Sequence, residues 1–280
     1  MADVECARWL QAVAPRLGLR WRGFRNNRGQ VCKRIRRRIR QLGLPDLTAY
    51  QEELAAQPAE WQVLERLCTV TLSRFYRDTD MWQLLRQRAL PAAARTALAA
   101  GETTFHAWSA GCASGEEPYT LSMLWAFELA EQHPSLGLAV LGTDLGSLVL
   151  ARARAASYAP ASLSELPSGW RERAFEPVAG LFHLREALRS RVELRQADLR
   201  RDWPEPGFRL IFCRNLAFTY FDERHQAALL EGLLTRLSPG GLLVVGKGER
   251  LPLASGAACP EGSVAGQRRL ADLGHGIYQG

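Results

Sequence analysis

Residues 108–119 read Trp-Ser-Ala-Gly-Cys-Ala-Ser-Gly-Glu-Glu-Pro-Tyr, a turn of small residues followed by two consecutive carboxylates. The apolar segment 105–110 predicts a short buried strand, and the apolar spacing in 119–132 predicts a helix. A strand, a tight turn and a helix in this order are typical of the nucleotide-binding edge of doubly wound α/β folds. The stretch therefore predicts a cofactor site at one end of a parallel sheet.

The charge of this turn indicates which cofactor it suits. Gly111 permits close backbone approach, but the chain lacks both the G-x-G-x-x-G order and a following Gly-Lys-Ser/Thr. Glu116 and Glu117 would repel a pyrophosphate and attract an ammonium or sulfonium group. A simpler alternative is that these carboxylates cap the helix, with Ser114 as N-cap and Glu117 completing a capping box. That alternative would place Pro118 where the helix first needs an N–H group.

Composition limits the class of protein. With 280 residues, 47% of them hydrophobic, the chain can bury a full core and suggests one large and one small domain. We find no signal-peptide pattern and no apolar run long enough to span a membrane, which predicts a cytoplasmic protein without membrane insertion. The six cysteines are widely spaced without a C-x-x-C pair, so neither a metal site nor a disulfide scaffold is indicated.

Basic charge is concentrated at the N-terminus. Residues 1–45 hold 12 Lys and Arg against two acidic residues, whereas the whole chain has a net charge of +7. An apolar stripe in 31–42 predicts a helix whose other positions are basic. We predict an N-terminal basic helical domain over 1–70, a linker and connecting helix over 71–104, and the main domain over 105–280.

From residue 105 onward, strand and helix patterns alternate, which predicts a parallel sheet. The predicted strands are 105–110, 138–143, 192–197, 208–213 and 242–246, and the predicted helices are 118–132, 146–155 and 222–237. Polar residues follow four strands in turn: Glu117, Asp144, Asp198 and Asn215. Because the carboxyl ends of parallel strands share one edge, we expect these side chains to surround one site. Asp144 and Asp198 could each instead cap a helix or turn.

Several motifs resemble, in order and spacing, those of the CheR-type chemotaxis receptor methyltransferases. The matching stretches are Arg74-Phe-Tyr-Arg-Asp78, the 108–119 block, Gly142-Thr-Asp144, Ile211-Phe-Cys-Arg-Asn-Leu216, Tyr220-Phe-Asp222 and Pro239-Gly-Gly-Leu242. The resemblance runs from about residue 30 to the C-terminus. It implies a Rossmann-like, doubly wound, mostly parallel α/β sheet of the class I methyltransferase type, preceded by a small all-helical domain.

The resemblance also implies a cofactor, a reaction and a set of contacts. S-adenosylmethionine would donate a methyl group to receptor glutamate side chains and leave as S-adenosylhomocysteine. The cofactor-contact positions implied are Thr71, Ser73, Arg77, Glu117, Asp144, Asp198, Leu199, Asn215 and Leu216. From chemistry alone, Glu117 suits the ammonium group and Asp144 the ribose hydroxyls.

Two residues are candidates for catalysis. A glutamate side chain, with a reference pKa of about 4.3, is already ionised at neutral pH and needs no general base. We expect Arg77 to orient that carboxylate toward the methyl group, unless it only pairs with Asp78 or Asp80. Tyr220 is the second candidate, although this chain has four residues between Asn215 and Tyr220 where the family usually has three.

The basic helix predicts an acidic helical protein partner, contacted by Lys33, Arg34, Arg37 and Arg38. A solvated basic face and nucleic-acid binding are the alternatives, and sparse aromatics and the lack of a known motif argue against nucleic acid. In the family that this chain resembles, some members dock a receptor's C-terminal peptide on a small β insertion with a longer glycine-rich turn. The corresponding segment 175–185 is compact and lacks that turn, which predicts a peptide-independent enzyme or one with a different partner. Two rival functions remain: a methyltransferase of this fold with another acceptor, and a non-catalytic adaptor.

Overall fold

The computed structural model describes residues 3–24, 27–68, 73–252 and 270–280. The chain divides into two compact units, Met1–Val70 with Leu216–Gln226, and Thr71–Asn215 with Ala227–Gly280. Thr71, a predicted cofactor contact, lies outside the described residues. Among the helices that the structure describes, none combines the length and apolar character needed to cross a bilayer.

The first unit is helical. Its helices are α1 (Asp3–Val13), α2 (Trp21–Phe24), α3 (Arg28–Gln41), α4 (Leu47–Ala56), α5 (Pro58–Cys68) and α12 (Ala217–Tyr220). The apolar stripe predicted for α3 is confirmed, because Val31, Ile35 and Ile39 are buried while the basic positions between them are not. Helix α4 begins at an N-cap, Asp46, whose carboxylate accepts from the Ala49 amide at 2.9 Å.

A disulfide joins α1 to α3, and the sequence did not indicate it. Cys6 and Cys32 are bonded, with Cα atoms 5.9 Å apart, and both side chains are buried. The 26-residue separation carries no local pattern, because only the packing of two helices brings these cysteines together. In the described residues Cys68, Cys112 and Cys213 are buried and take no part in this disulfide.

The second unit is an α/β unit. Its strands are β1 (Thr104–Ala110), β2 (Gly137–Asp144), β3 (Ser157–Tyr158), β4 (Phe175–Val178), β5 (Leu181–Leu184), β6 (Val192–Gln196), β7 (Phe208–Cys213), β8 (Leu237–Val245), β9 (Ala271–Gly274) and β10 (Ile277–Gln279). Its helices are α6 (Thr79–Leu84), α7 (Leu90–Ala99), α8 (Glu116–Leu124), α9 (Ser147–Ala155), α10 (Trp170–Ala174) and α11 (Glu186–Arg189), and α13 (Glu223–Arg236) begins in the first unit. Single π-helical turns, 85–89 and 125–129, continue α6 and α8.

The main sheet has seven strands in the order β6-β2-β1-β7-β8-β10-β9. The first five strands are parallel, and β10 pairs antiparallel with both β8 and β9. All six residues of β7 are buried, as expected for a central parallel strand covered on both faces. The predicted mostly parallel, doubly wound sheet is therefore confirmed. Its order reverses between β1 and β7, which is where such sheets bind ligands.

A second, three-stranded sheet has the order β3-β5-β4. Strands β4 and β5 form a hairpin that turns at Ala179 and Gly180, both with positive φ. The segment before it contains a 3₁₀ turn, Pro160–Leu163, and leads into α10. The sequence missed this turn because a single 3₁₀ turn leaves too short an apolar pattern.

Candidate active site

The turn after β1 places the first turn of α8 at the carboxyl edge of the sheet. Gly111 and Gly115 have φ values of 84° and 90°, a conformation that side chains disfavour. Gly115 is the N-cap, and no side chain caps the helix. The capping alternative is therefore wrong, and Pro118 lies in the first turn, where its missing N–H costs nothing.

Glu117 points into a polar pocket formed by neighbouring strands. Its Oε1 accepts from the Ser109 hydroxyl at 2.8 Å and its Oε2 from Arg214 Nη1 at 2.9 Å. The side chain is 13% exposed, so it can meet a ligand. Two carboxylate oxygens offer about four acceptor sites, which leaves capacity for an ammonium group. The contact of Glu117 with the cofactor stays a prediction.

Glu116 has a different environment from its neighbour. It is 5% exposed, and its Oε2 has no hydrogen-bond partner among the described residues. Burial raises the pKa of Glu116 to about 7, although hydrogen bonds from its own backbone amide and from Ser73 oppose that rise. The carboxyl group of Glu116 is therefore only partly ionised near pH 7. Ser73, a predicted cofactor contact, lies beside it.

Asp144 ends β2 and is held by backbone amides. Its two carboxylate oxygens accept from the amides of Ala113 at 3.0 Å and Gly146 at 2.8 Å. Burial raises the pKa of Asp144, and these amide hydrogen bonds oppose the rise. The Ala197 amide donates to the Asp144 carbonyl at 3.0 Å. The turn after β1, the end of β2 and the end of β6 are thereby brought to one place.

Asp198 and Leu199 follow β6 at this same edge. Both Asp198 oxygens accept from the Arg200 guanidinium at 2.9 Å. Burial acts to raise the pKa of Asp198, but the hydrogen bonds from Arg200 outweigh it and lower the pKa. The side chain of Asp198 is 17% exposed, and Leu199 is buried. The cofactor contacts of Asp198 and Leu199 stay predictions.

Asn215 follows β7 in a left-handed conformation, with a φ of 54°. Its amide donates to Glu249 Oε2 at 2.9 Å, and the Gly246 amide donates to the same oxygen at 2.6 Å. Asparagine tolerates this conformation better than most residues. The two hydrogen bonds to Glu249 fix the backbone at the end of β7. Glu249 was not identified from the sequence, since its contact depends on the loop after β8.

Leu216 and Tyr220 belong to the first unit. The Tyr220 carbonyl accepts from the Arg20 amide at 2.7 Å, and a Cβ at Gly23 would lie 3.0 Å from the Tyr220 ring. Tyr220 is 6% exposed. The catalytic role of Tyr220 and the cofactor contact of Leu216 stay predictions.

Arg214 is the main residue that the sequence analysis missed. It is 5% exposed and bonds Glu117, Asp78 Oδ2 at 2.5 Å and the Arg77 carbonyl at 3.3 Å. Asp78 therefore pairs with Arg214, and Asp80 lies 4.0 Å from Lys247. A signal was present, because Arg214 lies directly between the buried strand β7 and Asn215 within a quoted motif.

A small open cleft lies next to Arg214. Its charged or titratable lining residues are Asp78, Asp80, Arg214, Lys247 and His275. The cleft lies at the carboxyl ends of β7 and β8, beside the segment that carries Arg77. The cleft therefore adjoins Arg214, the ion-pair partner of Glu117.

The basic helix α3 offers a smaller free surface than predicted. Arg38 forms two hydrogen bonds with Glu60, at 2.9 and 2.7 Å, and Tyr50 donates to Glu60 at 3.0 Å. Arg38 therefore holds α3 against α5, and its contact with a partner stays a prediction. Lys33 and Arg37 are exposed, and Arg34 is half-buried.

Comparisons with known proteins agree with this geometry. The family model for the SAM binding domain of CheR methyltransferases matches residues 71–260, and the model for their all-alpha domain matches 24–67. The chain is 32% identical over 262 residues to the chemotaxis protein methyltransferase of Salmonella typhimurium, covering 89% of this chain and 84% of that protein.

Two further relatives differ in length. The chemotaxis protein methyltransferase of Klebsiella aerogenes is 30% identical, with 89% of this chain and 84% of that protein covered. An uncharacterised 104.1 kDa protein of Rhodobacter capsulatus is 33% identical over 80% of this chain. This chain spans only 23% of the length of that larger protein.

Proposed function

This chain belongs to the CheR methyltransferase family, and from that premise we propose that it methylates glutamate side chains of a chemoreceptor or a related signalling protein. The enzyme class is S-adenosylmethionine-dependent methyltransferase, and the cofactor is S-adenosylmethionine. The proposed products are a glutamate methyl ester and S-adenosylhomocysteine. The observation that carries the proposal is the partly exposed Glu117 carboxylate, held by Ser109 and Arg214 at the switch point of the sheet.

The residues present fit this cofactor. Glu117 is an accessible anion for the ammonium group, and Asp144 and Asp198 supply acceptors beside it. Leu199 gives an apolar surface for the adenine, and the glycine turn at 111–115 allows close backbone approach. We propose Ser73, Arg77, Asn215, Leu216 and Thr71 as the further contacts.

For this reaction the protein has to orient the reacting groups and need not supply a general base. When bound, the cofactor supplies a methyl group on a positively charged sulfur, which leaves as a neutral thioether. The acceptor carboxylate is ionised at neutral pH because its reference pKa is about 4.3. One carboxylate oxygen forms the new C–O bond as the S–C bond breaks, so no proton moves. Arg77 is proposed to hold the other oxygen and to align the carboxylate.

The two carboxylates that follow Arg77 in the chain have basic neighbours of their own. Asp78 pairs with Arg214 at 2.5 Å. Asp80 is 61% exposed and lies near Lys247. The cleft next to Arg214 gives the acceptor side chain an approach to this corner. Tyr220 is proposed as a second group that contacts the acceptor carboxylate.

The partner is proposed to be an acidic helical protein. Lys33, Arg34 and Arg37 present positive charge on α3, since the buried stripe of that helix turns the basic positions outward. Such charges chiefly accelerate encounter with an acidic surface.

The test is methyl transfer from labelled cofactor to a purified chemoreceptor cytoplasmic fragment. We expect a label that is released as methanol in mild alkali, because carboxyl esters hydrolyse and N-methyl groups do not. Transfer of alkali-stable label would indicate another acceptor. Binding of S-adenosylhomocysteine without any transfer would favour the adaptor, whereas absence of binding at millimolar ligand would remove the cofactor site itself.

A further inference from the structure

We propose that Arg214 is a positioning residue that links the cofactor end of the site, at Glu117, to the backbone segment that presents Arg77. The inference rests on the proposed function, because Glu117 and Arg77 are its proposed cofactor and acceptor contacts. It concerns a residue that needs to touch neither ligand.

The first observation is that one guanidinium joins two separate elements. Arg214 Nη1 reaches Glu117 on α8 at 2.9 Å, and Nη2 reaches Asp78, the residue before α6, at 2.5 Å. The Arg214 side chain is 5% exposed, against 13% for Glu117 and 23% for Asp78. Charge-assisted bonds at such depth are stronger than surface ion pairs, and a planar guanidinium fixes the relative orientation of both carboxylates.

The second observation is the strained backbone beside Arg77. Tyr76 and Asp78 have φ values of 58° and 64°, in a region that residues other than glycine rarely adopt. Such conformations cost of order 1 kcal/mol or more each and persist where surrounding contacts enforce them. Arg214 supplies two of those contacts, to the Asp78 carboxylate and to the Arg77 carbonyl.

The third observation concerns Asp78 as an N-cap. Aspartate at this position usually accepts from a backbone amide of the first helical turn, yet no side-chain cap bond is present at α6. The carboxylate bonds Arg214 instead. The side chain of Asp78, the N-cap residue of α6, is therefore held by Arg214.

Charge balance explains why the link responds to the cofactor. Arg214 brings one positive charge between two carboxylates, so the trio retains about one negative charge. A cationic ligand group at Glu117 draws that carboxylate toward itself and competes with Arg214 for it. Arg214 can then bond Asp78 and the Arg77 carbonyl more fully, which tightens the segment 76–78. Cofactor binding would thereby order the acceptor-orienting residue.

The experiment is hydrogen exchange of the peptide covering 78–84, measured with and without saturating S-adenosylhomocysteine. This peptide contains α6 and none of the proposed cofactor contacts. In the unmodified protein we expect ligand to slow its exchange by roughly tenfold, the effect of one strengthened charged hydrogen bond. Arg214→Lys keeps the charge but cannot bridge three acceptors. In this variant the ligand should no longer slow exchange of the peptide, while calorimetry should still detect ligand binding.

Arg209→Lys is the matched control. Arg209 is a buried arginine near the start of β7, the strand that Arg214 follows. It pairs with Glu102 and donates to the Pro239 carbonyl, and its variant should keep the slowing. If Arg214→Lys fails to fold or to bind the ligand, Asp78→Asn is the second variant. It removes the charge of the more exposed partner in the Arg214–Asp78 ion pair. Slowing that persists in Asp78→Asn, or in a binding-competent Arg214→Lys, overturns the proposal.

The readout separates this proposal from the proposed function. A protein that binds S-adenosylhomocysteine and shows Arg214-dependent slowing, but methylates no receptor fragment, supports the link and contradicts the acceptor assignment. Where transfer is measurable, Arg214→Lys should lower kcat more than it weakens cofactor binding. Equal transfer by Arg214→Lys and the unmodified protein would also overturn it.

Discussion

Glu116 and Glu117 are consecutive in the chain, yet one is a buried acid whose pKa burial raises to about 7 and the other is an ionic partner of Arg214. The difference follows from where the helix begins. At the first two positions of α8, adjacent side chains diverge by about 100° around the axis, so Glu116 turns into the core and Glu117 toward the strand ends. The cationic preference of the site therefore rests mainly on Glu117.

The first prediction concerns the pH dependence of stability. Burial raises the pKa of Glu116 to about 7 from its usual 4.5, so the folded protein holds this proton more tightly than the unfolded chain. The resulting stabilisation is present below pH 4.5 and is lost as the pH rises to about 7. Between pH 5 and pH 8, the free energy of unfolding of the unmodified protein should fall by roughly 2 kcal/mol more than that of Glu116→Gln. Denaturant unfolding at the two pH values measures both changes.

Glu193→Gln is the control, because Glu193 is 66% exposed and its variant should follow the unmodified protein at both pH values. Parallel stability curves for Glu116→Gln and the unmodified protein would show that Glu116 is ionised at no cost in the folded state.

The second prediction separates the two carboxylates by cofactor affinity. Glu117→Gln keeps the size of the side chain but removes the charge that faces the ammonium group. We expect S-adenosylhomocysteine to bind about 10- to 100-fold more weakly, or about 1.4 to 2.8 kcal/mol, by calorimetry. Glu116→Gln should change affinity by less than about threefold at pH 7. Equal losses in both variants would contradict the assignment of Glu117.

The sequence predicted what depends on local pattern. Strands β1, β2 and β7 and the stripe of α3 follow from apolar periodicity, and the carboxyl ends of strands follow from the fold class. It did not predict Arg214 bridging two elements, Glu249 holding Asn215, or the Cys6–Cys32 bond. These contacts join residues far apart in the chain, and their existence depends on side-chain directions that periodicity does not specify. Arg38 shows the same limit, since its partner Glu60 lies on another helix.

The third prediction concerns Arg77. If its guanidinium orients the acceptor carboxylate, Arg77→Ala should lower kcat by at least about 100-fold, the usual cost of losing alignment. Arg74→Ala is a matched control in the same motif, because Arg74 is 61% exposed and pairs with Glu165 at 3.3 Å. The measurement is the initial rate of base-labile methyl transfer to a receptor fragment. Near-normal turnover by Arg77→Ala would remove its assigned role.

The fourth prediction concerns the helical unit. The hydrogen bonds from Arg38 are the main cause that lowers the pKa of Glu60 below 4.5, and burial opposes them. Stability from this group is therefore present above pH 4.5 and is lost as the pH falls through the lower, folded-state pKa. Glu60→Gln should destabilise the protein at pH 7 by about 1 to 3 kcal/mol, with a smaller difference near pH 3. A constant difference across this range, measured by denaturant unfolding, would contradict the ionic role.

The fifth prediction concerns the partner surface on α3. Lys33 and Arg37 are exposed and Arg38 is held by Glu60, so a Lys33→Glu, Arg37→Glu double variant reverses free charge without breaking the α3–α5 contact. Such charges mainly set the association rate, which falls as salt screens them. We expect association with an acidic receptor fragment to slow by roughly tenfold at low salt and by much less at 0.5 M salt.

An Arg88→Glu, Arg95→Glu double variant is the control for that measurement, since both arginines are exposed and belong to the other unit. Both variants should keep unmodified affinity for S-adenosylhomocysteine, which shows that the cofactor site is intact. A slowing of equal size in the control would mean that net charge alone steers the partner. An unchanged rate in the double variant would place the docking surface elsewhere, because an acidic partner approaching α3 meets these two side chains first.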